Sequence, residues 1–208
     1  TITGIALASI NIVDGNIKLE KKSALFDYLS YLERKDYQSQ RIHIKVKFKY
    51  LPTMSPESRK FKSIGLELYD YIPENTYYAS IPFENLEEVL KLDIVESVSF
   101  PNVKDKIAPY ILKGEIPDEA INPDGSVDLW VRFFEDVSRE RAEQILKEYS
   151  QNFSKVGLYS WAVAVDRNKI YRLAMEDEVQ WIEIAPPPPV AVNSMKIPKW
   201  GMKLCVID

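Results

Sequence analysis

The stretch RIHIKVKFKY alternates without a break. Ile42, Ile44, Val46, Phe48 and Tyr50 fall on one side, and His43, Lys45, Lys47 and Lys49 on the other. A period of two sustained over residues 42–50 excludes a helix and creates one apolar face that must be buried against another layer. The chain therefore contains at least one half-buried sheet.

The same alternation puts His43 on the polar face among lysines, where it reads as an ordinary surface imidazole. It is the only histidine in 208 residues. No nucleophile or orienting acid stands beside it, so a Ser-His-Asp or Cys-His centre lacks an evident base. Cys205 is the only cysteine, which excludes an internal disulfide framework and a cysteine metal cluster. Neither cofactor nor metal is expected.

With 46% hydrophobic and 28% charged positions, the chain can bury one good core or two small ones. Its net charge of -4 is spread through the sequence, so nucleic acid and membrane surfaces are not expected partners. No run approaches the roughly 20 apolar residues of a membrane span. Residues 2–10 (ITGIALASI) lack the basic start and the length of a signal peptide and read as a strand. Because it opens on Thr1, the chain is expected to be a processed fragment.

After an N-terminal segment (1–41) with a helix at 23–34, a first unit is expected over 42–110. The LPTMSP stretch ends the opening strand, and Ser55-Pro56 forms an N-cap and first turn for a helix ending near Gly65. A strand follows at 66–72, a turn at Pro73-Glu74-Asn75, and a strand at 76–81. Leu86, Val89 and Leu90 then recur at helical spacing before a strand at 95–100. Residues 111–126 read as a linker, flanked and filled by Pro101, Pro109, Pro117, Pro123, Gly114 and Gly125.

The order recurs in a second unit over 127–185. It has a strand at 127–134 and a helix capped by Ser138 with Ala142, Ile145, Leu146 and Tyr149 on one face. A strand at 155–165, a helix at 169–175 and a strand at 179–184 follow. A proline-rich tail spans 186–208. The expected fold is α+β: two tandem ferredoxin-like βαββαβ modules with antiparallel sheets.

Three segments carry a family resemblance. In IGLELYDYIPENTYYASIP, the residues Tyr71, Ile72, Pro73, Asn75 and Tyr77 resemble a Tyr-(Ile/Leu)-Pro-x-Asn-x-Tyr turn. In FPNVKDKIAPYI, the residues Pro101, Lys106, Ile107 and Pro109 are similar to a Lys-(hydrophobic)-x-Pro signature, without its first proline and with the aromatic out of register. In VQWIEIAPPPPVAVNS, Trp181 and Glu183 lie in a strand that resembles a closing Val-x-Trp-Ile-Glu segment. In this order the three resemble segments of the propeptides of subtilisin-like S8 serine proteases.

The resemblance implies inhibitor I9-like domains that help a subtilisin-like catalytic domain fold and hold it inactive, in cis or in trans. It also implies a secreted or cell-surface parent protein. If Leu129, Val131 and Phe133 face the helices, Trp130 and Phe134 lie on the opposite face, either docking on the protease or packing one module on the other. The tail from Glu183 would enter the substrate cleft through Val190, Ala191, Val192 and Asn193, or else Pro186 to Pro189 form a stiff spacer ahead of a processing bond. GMKLCVID is similar to the protease strand that ends in the catalytic aspartate, which would make Asp208 that residue; the other reading is a plain terminal strand. A stand-alone tandem adaptor or regulatory domain is the rival function. A hydrolase built on Glu87-Glu88 or Glu176-Glu178 is disfavoured, because such pairs read as solvated charge on helix surfaces or turns.

Overall fold

The computed structural model describes residues 12–13, 16–17, 41–52 and 56–186. A short antiparallel pair, β1 (Ile12–Val13) and β2 (Asn16–Ile17), precedes the alternating run. The expected strand at 2–10, the helix at 23–34 and the Ser55 cap lie outside the described residues, as does everything beyond Pro186.

The alternating run becomes β3 (Arg41–Phe48). Its apolar side chains Ile42, Ile44, Val46 and Phe48 are fully buried, each contributing roughly 1.5–3 kcal/mol of transfer free energy. Helix α1 (Pro56–Ile64) follows and stops at Gly65, whose positive φ of 71° lets the Leu66 N–H turn back to the Phe61 carbonyl. Strands β4 (Glu67–Ile72) and β5 (Thr76–Pro82) then form a hairpin over Pro73-Glu74-Asn75, with Glu74 and Asn75 both at positive φ. Helix α2 (Leu86–Leu90) and strand β6 (Val95–Ser99) close the first half. The four strands pair antiparallel in the order β4-β5-β3-β6.

The second half repeats this plan. Strand β7 (Ser126–Phe133) buries Val127, Leu129, Val131 and Phe133. Helix α4 (Arg139–Tyr149) starts where the Ser138 hydroxyl accepts from the Arg141 N–H, and it buries Ala142, Ile145, Leu146 and Tyr149. The single strand expected at 155–165 is two, β8 (Phe153–Lys155) and β9 (Ser160–Asp166). In the tight reversal between them, Val156 and Gly157 both donate to the Ser160 carbonyl. Helix α5 (Ile170–Ala174) and strand β10 (Val179–Ile184) complete the sheet, antiparallel in the order β10-β7-β9-β8. The protein is thus α+β with two four-stranded antiparallel sheets, each sharing a separate apolar core with its helices.

The connection is not a loose linker. It contains helix α3 (Pro109–Leu112), lies against β10 through a parallel Ile107–Ile182 bridge, and donates the Ala108 N–H to the Ile182 carbonyl at 2.9 Å. Ile107, Ala108, Ile111 and Ala120 belong to the second core, whereas Phe100 belongs to the first. These apolar side chains, on both sides of the division expected at residue 110, thus find their burial in the second half.

Candidate functional site

The two halves meet where the residues following β7 and preceding β10 press on the polar face of the first sheet. The Phe134 ring enters this contact. It stacks on His43 of β3, with centroids 4.1 Å apart, and touches Tyr78 of β5 and Tyr69 of β4. Phe134 does lie opposite the helix-facing residues of β7, but it is fully buried and so is not an exposed docking residue. The first sheet covers it.

His43 is likewise only 1% exposed, which corrects its expected place on an open surface. Alternation predicted its side of the strand correctly; the second half then closes over that side. Its Nδ1 lies 2.6 Å from Asp177 Oδ2 and its Nε2 lies 2.9 Å from Asp136 Oδ1. Its backbone N–H also donates to Asp177 Oδ2. Burial alone would lower the imidazole pKa, but the Asp177 charge and the bonds to both carboxylates outweigh it and raise the value to about 9. Asp136 shows the opposite balance: burial would raise it, and the bond and charge of His43 bring it down to about 2. The doubly protonated ring alone has donors for both acids.

Other groups complete the contact. Arg41 Nε lies 3.4 Å from Asp136 Oδ2 and also donates to the Ser80 hydroxyl, while its terminal nitrogen reaches the Gly65 carbonyl. Lys106 is buried and donates from Nζ to the carbonyls of Glu176 and Asp177. Asp70 of β4 accepts from Arg132 and Gln180 across the boundary. With both imidazole nitrogens engaged by carboxylates in a closed site, this cluster holds surfaces together and presents no free base to a substrate. Of the carboxylate pairs expected as solvated charge, Glu176-Glu178 behaves differently: Glu178 is buried and accepts from Arg141, and Glu176 accepts from the Tyr149 hydroxyl.

Residues 11–100 match a domain of unknown function, DUF8729. The match spans the first half, with Arg41 and His43, and stops before Asp136 and Asp177. No curated protein matches the chain.

The remaining sequence-derived site residues are scattered over the two halves. Trp130 is half-buried on the outer face of the second sheet, paired in register with Glu183, whose carboxylate accepts from the Trp181 indole at 3.2 Å. Tyr71 is exposed and meets Tyr77 edge to face, next to the Pro73–Asn75 turn, where the Asn75 carbonyl accepts from the Phe48 N–H. Pro109 occupies the first turn of α3. Val190, Ala191, Val192, Asn193 and Asp208 lie outside the described residues. At the far end of the second half, Asn122, Asp124, Ser126, Tyr149, Asn152 and Asp166 line an open groove of about 640 Å³. Its polar groups partly satisfy one another: Asp124 accepts from the Ser126 N–H and hydroxyl, and Asn122 donates to Asp128.

The residues that sequence reasoning missed are Asp136, Asp177, Asp70 and Gln180. None lies near His43 in the chain, and the sheet-on-edge docking that gathers them leaves no local pattern. Among the described residues no group of three or more His, Cys, Asp or Glu side chains is arranged to hold a metal ion, and no helix is long and apolar enough to cross a membrane.

Proposed function

We propose that the chain is the propeptide-like region of a subtilisin-like serine protease, an intramolecular chaperone and inhibitor built from two ferredoxin-like βαββαβ modules. The observation that carries this reading is the strand order. Numbered within its own half, each sheet runs fourth, first, third, second, with every neighbouring pair antiparallel. That order, with helices and strands sharing one core in each half, supports the ferredoxin-like reading. The Tyr71–Tyr77, Lys106–Pro109 and Trp181–Glu183 resemblances add the connection to proteases.

Within this reading the partner-facing surface belongs to the second module. Phe134 and His43 close the polar face of the first sheet, while Trp130, Ala162 and Ala164 retain partial exposure on the outer face of the second. Glu183 lies in β10, the strand that precedes the tail, and in this reading the cleft contact falls to the tail. The test is direct. The purified chain is titrated into a subtilisin-like catalytic domain while hydrolysis of a small peptide substrate is followed. Slowing that weakens with Trp130→Ala is the expected result; unchanged hydrolysis at every concentration sinks the proposal.

The groove of about 640 Å³ favours a second reading, a stand-alone regulatory module that binds a small polar ligand. Its signature is a melting temperature raised by such a ligand, abolished by Asn152→Leu, without any effect on a protease.

A further inference from the structure

We infer that the contact between the two halves is a proton-operated latch, closed while the His43 ring carries both of its protons and opened when one is lost. The inference stands apart from the protease reading and holds for any partner.

The geometry supplies the mechanism. His43 belongs to the first sheet, and the two acids that receive its ring protons, Asp177 and Asp136, belong to the second half. The imidazolium is thus a buried cation whose charge-assisted bonds both cross the boundary. When it loses a proton, one nitrogen turns a lone pair toward a carboxylate at under 3 Å, and a formerly balanced buried site gains a negative charge. Local repacking offers little relief, because the ring is held flat against Phe134 and its strand is the third of four in the sheet. Separation of the halves hydrates both acids at once.

The charged and titratable surroundings agree with this direction. On its own strand His43 is flanked by Arg41, which is committed to Asp136 and Ser80, and by Lys45, which pairs with Asp105. Strands β4 and β5 contribute Glu67, Tyr69, Asp70 and Tyr78, and burial pushes the Tyr78 phenol up to about 12, so it stays neutral. The segment before β10 contributes Glu176, bonded to Tyr149, and Glu178, bonded to Arg141, and the connection contributes Lys106, which donates to the Glu176 and Asp177 carbonyls. The remaining charge pairs across the boundary, Arg132–Asp70 and Lys45–Asp105, are partly exposed and contribute little on their own.

The experiment uses the full chain, in which His43 is the only histidine and so gives an unambiguous imidazole signal by NMR. The ring titration and the radius of gyration from solution scattering are followed together from about pH 6 to about pH 11, with circular dichroism recording secondary structure. The expected result is a proton affinity more than tenfold above that of a free imidazole, and an increase in radius with the same midpoint while both sheets persist. In Asp177→Asn the proton affinity falls at least tenfold and the expansion moves to lower pH with it. In His43→Gln the pH-dependent expansion disappears. A radius that stays constant while the ring titrates overturns the latch, as does an expansion that keeps its midpoint in Asp177→Asn. Should His43→Gln fail to fold, Asp177→Asn decides alone.

Discussion

The rings of His43 and Phe134 lie parallel to within 8° at a centroid distance of 4.1 Å, so one side chain from each half forms a single wall between them. Phe134 also meets Tyr78 edge to face at 5.6 Å and is fully buried. Phe134→Ala should therefore cost about 3–5 kcal/mol of unfolding free energy in denaturant titrations. Because the cavity opens between the halves and not within either core, that loss should come with two separated unfolding transitions in place of one.

Stability should depend on alkaline pH through His43. Its pKa is raised in the folded state from 6.5 to about 9, so the stabilisation is complete below about 6.5 and is lost as pH rises through about 9. A shift of this size corresponds to about 3 kcal/mol. Urea unfolding at a series of pH values should show the decline, and His43→Gln should flatten it. Asp136, lowered from 3.8 to about 2, acts at the opposite end: its contribution is present above 3.8 and is lost as pH falls through about 2.

Gly65 should not tolerate a side chain. Its φ is +71°, and a Cβ there would sit 2.9 Å from Cγ and Cδ of the Pro82 ring. Gly65→Ala should lower the unfolding free energy by about 2 kcal/mol, read as a shifted urea midpoint with unchanged slope. Loss of the α1 terminus should accompany it in hydrogen exchange of the Leu66 amide.

Lys106→Met keeps most of the side-chain volume but removes the donor to two carbonyls, the part-buried one of Glu176 and the buried one of Asp177. A loss of about 1–3 kcal/mol is expected in thermal or urea unfolding. Lys106→Arg should recover less than half of it, since a planar fork cannot follow the compact ammonium into the same site.

Much of the fold was legible because its signals are local. The alternation of Ile42 to Phe48 and of Val127 to Phe133, the Ser138 cap and the Ala142–Tyr149 stripe each predict an element whose observed limits differ by a residue or two. The break at Val156–Tyr159 was missed because Val156, Leu158 and Tyr159 within it are themselves apolar and β-compatible, leaving Gly157 as the only punctuation. The cluster around His43 was not legible at all. Periodicity assigns a side chain to a face, but what covers that face is decided by residues some 93 and 134 positions away. Phe134 shows the same limit from the other side.

The splice of Ile107 and Ala108 onto β10 makes the connection a part of the second sheet's own edge. An excised second half beginning at Ser126 would bare that rim of unpaired amides and carbonyls and lose Ile107 from its core, inviting sheet-to-sheet aggregation. The smallest portable piece of this half therefore begins soon after Phe100, and any cut later than that converts a guarded border into an adhesive one.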